Sequence, residues 1–215
     1  MLSPLPALAF GFVLGVRHAT DADHIAAVGT LAAGGRSARK AALVGAWWGA
    51  GHSASVLLVG GGLLLFRLPM PVRLALTLEF LVALMLIALG LRSLVARASA
   101  GGSSLRPFAV GIMHGLAGSA VLALLVLGAT SSAPAAVAYL LCFCIGTIGG
   151  MALITAMFAI PAAAWPARAL RIERAVRVAA GVASIAIGLT LAHRVGVEDG
   201  LFAATPPPAQ AWSPE

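Results

Sequence analysis

The sequence predicts an all-α protein, a multi-pass bundle of transmembrane helices. The 215-residue chain is 60% hydrophobic and only 10% charged, and its mean hydropathy is +1.01. A soluble domain carries about 25% charged residues, so this chain has too few charges to cover a water-facing surface. Intrinsic disorder needs low hydrophobicity and is excluded as well. Inside a lipid bilayer the backbone must satisfy its own hydrogen bonds, which favours helices.

Six apolar stretches are candidates for membrane spans, since a spanning helix needs about 20 apolar residues. They cover about 4–34 (with a polar break at 17–24), 41–66, 74–91, 108–128, 135–160 and 178–195. We therefore predict a membrane domain over 1–197. The proline-containing segment 198–215 is predicted to be a disordered C-terminal tail.

The basic residues predict how the chain is oriented in the bilayer. The net charge is +7, but no basic helix with interleaved aromatic residues is present, so we expect no nucleic-acid partner. Ten Lys and Arg residues fall in the loops after spans one, three and five, against three on the opposite side. Because cytoplasmic loops are enriched in Lys and Arg, both termini are predicted to lie outside.

The polar break in the first span reads Arg17-His18-Ala19-Thr20-Asp21-Ala22-Asp23-His24. At about 1.5 Å per residue, each flanking arm covers only about half of a ~30 Å hydrocarbon core. The cluster therefore lies near the midplane, or the whole segment is re-entrant. Ionisable residues at that depth mark a functional site by default. On a continuous helix His18, Asp21 and His24 would stack along one face, with Asp23 about 100° away from His24.

Imidazoles and carboxylates together suit a divalent transition metal that prefers nitrogen and oxygen ligands. The candidate metal ligands are His18, Asp21, Asp23, His24, His52 and His114. One alternative is a buried ion pair of Arg17 with Asp21 or Asp23, with histidines that only pack. Others are a membrane redox protein or metalloenzyme with the same histidines as haem or zinc ligands, and an exporter or accessory protein of related fold.

Further polar residues within the spans are candidates for transport or coupling. Glu79, about six residues into the third span, would be a proton carrier, a metal ligand or an interfacial partner of Arg73. The candidates in this group are Arg17, Ser53, Glu79 and Ser119. No P-loop pattern is present in the sequence, so ATP is not implied.

A short internal echo links the first and fourth spans. Gly15-Val16-Arg17-His18 matches Gly111-Ile112-Met113-His114 as G-x-x-H. In a six-span chain these two spans run in opposite directions. The echo therefore predicts a 3+3 inverted repeat with a site where interrupted helices meet.

Several of these residues carry a resemblance to the nickel/cobalt transporter family. His18, Asp23 and His24 occupy the three positions of its H-x4-D-H signature. The Gly-His-Ser at 51–53 resembles a second family element. The His-Gly-Leu-Ala-Gly-Ser at 114–119 looks like the shorter members known as urease-accessory-like permeases.

The resemblance implies uptake of Ni²⁺ or Co²⁺ across a bacterial cytoplasmic membrane. The chain would then be a permease rather than an enzyme, with the metal ion as substrate, the bilayer as partner and no cofactor, and 1–197 would be its transport domain. Full-length members usually have eight spans with the signature in the second, so one N-terminal span fewer is expected here. The efflux branch carries a His-rich loop, whereas this chain has five His in all.

Overall fold

The structure is a computed structural model that describes residues 4–32, 37–66, 70–95, 105–129 and 132–203. Within these ranges the protein is all-helical. The helices are α1 (Pro4–His18), α2 (Ala22–Ala32), α3 (Ala38–Ser55), α4 (Gly61–Phe66), α5 (Val72–Val95), α6 (Leu105–Ala129), α7 (Ala133–Ala164) and α8 (Ala169–His193). A π-helical turn, Val56–Gly60, joins α3 to α4, a second, Arg194–Glu198, follows α8, and a 3-10 turn, Pro166–Arg168, precedes α8.

Four helical segments in the described chain are long and apolar enough to cross a membrane. They are Ala38–Leu63, Val72–Val95, Pro134–Ala164 and Ala169–Glu198. The apolar part of α1, Leu8–His18, is too short to do so. In α6 the side chains of residues 118–129 lie outside the described part, so the count of six spans stays a prediction.

The first predicted span is interrupted, as the polar break indicated. The amide of Ala19 still donates to the carbonyl of Gly15, but the amide of Asp21 donates to His18, three residues back. This tighter turn ends α1, and the chain restarts as α2 with Ile25 bonded to the Asp21 carbonyl. The prediction that His18, Asp21 and His24 stack along one continuous helix face is therefore wrong.

Glycines bring the central helices into backbone contact. A methyl group at Gly15 of α1 would overlap the Phe143 carbonyl of α7, and one at Gly111 of α6 would overlap the Trp48 carbonyl of α3. Small residues at such interfaces let membrane helices approach closely, because lipid supplies no hydrophobic force between them. These close contacts hold α1 on α7 and α3 on α6.

Helices α5 and α8 form a second, antiparallel pair. The Ser184 hydroxyl of α8 donates to the Leu86 carbonyl of α5 over 2.7 Å, and the Ser93 hydroxyl of α5 donates to the Arg177 carbonyl over 3.1 Å. Helix α8 begins at Ala169, whereas the sixth span was predicted to begin at about 178. The difference arises because three arginines predicted to lie in a loop are on the first turns of the helix. These arginines are Arg171, Arg174 and Arg177.

The beginning of the predicted disordered tail is ordered. Residues 199–203 form a turn in which the Phe202 ring packs edge-on against Phe80, with ring centroids 5.2 Å apart. Arg73 also donates to the Ala203 carbonyl over 3.3 Å. The aromatic contact and this hydrogen bond hold the turn against α5. Residues 204–215 lie outside the described part, so their predicted disorder is not addressed.

Candidate metal centre

Four helices bring four histidines together around the break in the first span. His18 is the last residue of α1, His24 lies in the first turn of α2, and His52 and His114 lie within α3 and α6. The His24 ring centroid is 4.5 Å from that of His18, 5.3 Å from His52 and 4.2 Å from His114. All four sequence-predicted histidines therefore converge on one site.

The site is buried although it is polar. His24, His52 and His114 are 2%, 1% and 4% exposed. Trp48 is fully buried beside them, with its ring centroid 5.4 Å from His24 and 5.8 Å from His114. Buried polar side chains are costly unless they bind a partner, so this cluster needs a structural or functional reason.

Asp23 joins two of the histidines. Its Oδ1 lies 3.0 Å from His24 Nδ1, and its Oδ2 lies 2.9 Å from His114 Nε2. Its Oδ1 also accepts the His24 backbone amide at 2.9 Å. A carboxylate that accepts from one ring nitrogen sets the tautomer of the imidazole and directs the other nitrogen elsewhere. Asp23 therefore determines which nitrogens of His24 and His114 are left for a ligand.

Asp21 has a smaller part in the geometry. Its side chain is 53% exposed, and its Oδ2 lies 2.8 Å from His18 Nδ1. The other nitrogen of that ring, Nε2, lies 3.2 Å from His52 Nε2. Asp21 thus orients His18 from the rim of the site. A continuous helix would instead have Asp21 on the same face as the histidines and Asp23 about 100° away from His24.

Two overlapping groups offer three metal ligands each. One is His18, His24 and His52, and the other is Asp23, His24 and His114. In each group one ligand atom per residue lies within 4.8 Å of the other two. His24 belongs to both groups, so an ion could be handed from one to the other with one ligand retained.

The remaining candidates lie outside this constellation. Arg17 is exposed, and among the described residues it forms no ion pair with Asp21 or Asp23. Ser53 donates from its hydroxyl to the Cys144 carbonyl over 3.4 Å and so ties α3 to α7. Glu79 lines the same cavity as the histidines. The side chain of Ser119 lies outside the described part of the chain.

Two residues near the site were missed by sequence reasoning. Trp48 is one: a buried tryptophan usually finds a partner for its indole N–H, but Trp48 Nε1 has no hydrogen-bond partner among the described residues. Arg194 was interpreted only as a basic residue near the tail, but it pairs with Glu79 at the cavity wall. No local signal in the sequence links positions 79 and 194.

The geometry does not favour haem. Two axial imidazoles need a flat macrocycle between them, but the His24 ring centroid, 5.3 Å from His52 and 4.2 Å from His114, lies in the space that such a macrocycle would occupy. The buried ion-pair alternative is also not what the structure contains, because both carboxylates bind histidines rather than Arg17.

Fold and site define a class: a helical protein of membrane type with a buried His/Asp cluster able to hold a metal ion. No family model and no solved structure matches the chain. The chain is 30% identical over 218 residues to the urease accessory protein UreH of Bacillus sp. (strain TB-90), covering 92% of this chain and 95% of the relative. The chain belongs to the family of urease accessory protein UreH.

Proposed function

We propose that this protein is a permease that takes up Ni²⁺ or Co²⁺ through the His/Asp cluster. One observation carries the proposal. Three buried ring nitrogens, His24 Nε2, His52 Nδ1 and His114 Nδ1, have no hydrogen-bond partner among the described residues. An unsatisfied buried polar group costs about 1–3 kcal/mol. A metal ion that accepts the lone pairs of His24 Nε2 and His114 Nδ1, the nitrogens that Asp23 leaves open, would remove that cost for these two rings.

The distances support a small N/O-coordinated cation. A metal–imidazole bond is about 2.0–2.1 Å, so neighbouring nitrogens on one metal lie along an edge of about 2.9 Å in square-planar geometry and about 3.3 Å in tetrahedral geometry. The His18 and His52 Nε2 atoms lie 3.2 Å apart, between these two edge lengths. The Asp23 carboxylate would offset part of the ion's charge in a low-dielectric surrounding.

The packing of the helices supports an inverted repeat. Gly15 of α1 meets the Phe143 carbonyl and the Thr147 amide of α7, whereas Gly111 of α6 meets the Trp48 carbonyl and the His52 amide of α3. In both contacts a glycine meets the carbonyl of one residue and the amide of the residue four positions later. In the first contact the glycine belongs to the N-terminal half of the chain, and in the second it belongs to the C-terminal half.

The contacts between α5 and α8 are also reciprocal, because each helix places a glycine against residues four apart on the other. Gly90 of α5 meets Gly181 and Ile185 of α8, and Gly188 of α8 meets Ala83 and Ile87 of α5. A pseudo-two-fold axis relating residues 4–95 to 105–198 accounts for both sets of contacts. It also makes His18 and His114 equivalent, each three residues after its glycine. Sites between inverted repeats near the midplane are typical of secondary transporters with alternating access.

The substrate follows from the ligands and the family. Histidine and carboxylate ligands suit nickel and cobalt. The relative is named a urease accessory protein, and urease is a nickel enzyme, so a supply of nickel is consistent with that name. A bacterial cytoplasmic membrane is the expected location. An inward-negative potential favours uptake, since two charges gain about 4.6 kcal/mol per 100 mV.

Uptake of ⁶³Ni²⁺ into proteoliposomes tests the proposal. We expect His24→Ala and His52→Ala to reduce the initial rate at least about 100-fold, because each removes a buried ligand. The control is His193→Ala, since that histidine is 66% exposed and pairs only with Glu198 among the described residues. Wild-type uptake no faster than into protein-free vesicles, or full activity in both cluster variants, would exclude the proposal.

A further inference from the structure

The cavity that contains the histidines extends toward the N-terminal half of α5 and the C-terminal end of α8. Its volume is about 170 Å³, and its wall includes Glu79 and Arg194 as well as the cluster. One water molecule needs only about 10–15 Å³ of such space, so an ion with several waters fits. The side chains of His24, His52 and His114 are almost fully buried, those of Glu79 and Asp23 are 29% and 30% exposed, and that of Arg194 is 56% exposed. Arg194 is thus the most exposed residue of the cavity wall, so the Glu79–Arg194 end forms a mouth of the cavity.

At the mouth, Arg194 lies between two carboxylates. Its Nη2 is 3.7 Å from Glu79 Oε2, and its Nε is 3.5 Å from Asp199 Oδ2. Both distances exceed the 2.7–2.9 Å of a charge-assisted hydrogen bond, so neither contact is tight. The two alternative partners let the guanidinium leave Glu79 without losing all of its counter-charge.

The local backbone supports such a shift. Arg194 begins the π-helical turn Arg194–Glu198, in which the Asp199 amide bonds to the Arg194 carbonyl over 2.8 Å. A π turn is rare and occurs often at functional sites. Asp199 is thereby held next to Arg194 by the turn itself.

A cation that enters the cavity at this mouth passes the Glu79–Arg194 pair. The permanent positive charge of Arg194 repels a dication, whereas the Glu79 carboxylate attracts it. Exposed ion pairs contribute only about 0–1 kcal/mol, so a dication competes easily with the guanidinium for Glu79. Carboxylate oxygens also accept hydrogen bonds from the waters around a hydrated cation.

We propose that Glu79 is the first protein group to bind the hydrated Ni²⁺ or Co²⁺, and that Arg194 competes with the ion for the Glu79 carboxylate. In the resting protein Arg194 neutralises Glu79. When the dication arrives, Arg194 moves to Asp199 and Glu79 binds the ion's water shell on its way to the buried histidines. This inference rests on the proposed permease function and assigns the mouth of its cavity.

The test is the concentration dependence of ⁶³Ni²⁺ uptake into proteoliposomes. We expect Glu79→Gln to raise KM about tenfold, the lower end of the range for outer-shell partners of a metal, with the maximal rate within about twofold. Arg194→Gln should lower KM, by up to about fivefold, because it removes the competing cation. Glu198→Gln, a neutralised acid at the same end of the protein that does not line the cavity, is the matched control and should leave KM unchanged.

The opposite signs separate this role from a structural one. If the pair merely tied α5 to α8, both variants would lose activity together. That result, or a Glu79→Gln variant with the KM of Glu198→Gln, would overturn the inference. Equilibrium binding of Ni²⁺ to each purified variant checks that the histidine site is intact, and Glu79→Asp should restore part of the lost affinity.

The two proposals fail in different ways. If the permease function is wrong, the wild-type protein takes up no Ni²⁺ above protein-free vesicles. If only the present inference is wrong, the wild-type protein transports and His52→Ala abolishes transport, but Glu79→Gln and Glu198→Gln remain alike.

Discussion

Asp21 and Asp23 lie two residues apart, yet they bind different partners. Asp23 contacts His24 and His114, both of them buried, whereas Asp21 contacts only His18 from a half-exposed position. The difference arises because α1 ends before Asp21 and α2 restarts at Ala22. The position of a carboxylate in the sequence motif therefore does not by itself show how many of the histidines it contacts.

Replacing these two carboxylates one at a time tests that ranking. Asp23→Asn removes the negative charge and replaces one of the two acceptor oxygens, which bind His24 and His114, by an amide group that only donates. We expect it to weaken Ni²⁺ binding to the purified protein at least about 100-fold. Asp21→Asn disturbs only the orientation of His18 and should cost about tenfold.

Isothermal titration calorimetry of the detergent-solubilised proteins measures both affinities. Equal losses in the two variants would mean that Asp21 is as central as Asp23. Ser53→Ala serves as the control, because Ser53 bonds to the backbone of α7 and does not line the cavity.

At the scale of the helices, glycine decides how close the ligands come. His52 of α3 and His114 of α6 share a site because Gly111 and Gly115 let α6 approach the α3 backbone around Trp48 and His52. A larger residue there would push the helices apart and move both imidazoles. The spacing of the metal site is thus a property of the α3–α6 interface as much as of the ligands.

An added methyl group tests the helix contacts. Gly111→Ala places a Cβ against the Trp48 carbonyl, which cannot yield easily because it belongs to a helix backbone. Overpacking of this kind costs about 1–3 kcal/mol, so we expect a lower Tm and weaker Ni²⁺ binding. Gly15→Ala should behave alike, since it makes the equivalent contact with Phe143.

Gly149→Ala is the matched control for both glycine variants. It lies within helix α7, but a Cβ there meets nothing within 4 Å. Alanine favours a helix over glycine by up to about 1 kcal/mol, so its Tm should be unchanged or higher. A melting temperature of Gly111→Ala equal to that of Gly149→Ala would contradict the close contact. Thermal unfolding followed by size-exclusion chromatography measures all three variants.

For the whole molecule, the two ends of the α5–α8 pair differ in charge. One end holds Arg92 and the arginines on the first turns of α8, and the other holds the cavity mouth with Glu79. The positive-inside rule predicts that the arginine-rich end faces the cytoplasm. The mouth would then open outside, which is the direction that uptake requires.

Cysteine labelling tests this orientation in spheroplasts. The background is a Cys142→Ser, Cys144→Ala variant, which lacks both native cysteines. Val197 lies at the mouth end and is 67% exposed, so Val197→Cys should react with a membrane-impermeant maleimide. Arg171→Cys, exposed at the arginine-rich end, should react only after permeabilisation. The reverse pattern would invert the topology and place the mouth in the cytoplasm.

Much of the fold could be predicted because lipid imposes simple rules on a sequence. The extents of α5 and α6, predicted at 74–91 and 108–128, differ from Val72–Val95 and Leu105–Ala129 by a few residues at most. The start of α8 was missed, since charged residues were assigned to a loop although a helix can extend past the apolar region. The histidines and Asp23 were found because ionisable side chains are rare and costly in apolar spans.

The sequence by itself determined that this is an all-helical protein of membrane type with a polar break in its first span. Composition and local pattern decide those features, and both can be read directly from the amino-acid sequence. Tertiary structure alone decided that Asp23 binds two histidines, that Trp48 lies against them, and that Glu79 meets Arg194 rather than standing alone. Such contacts join helices far apart in sequence, and they depend on how closely those helices pack, which no local pattern encodes.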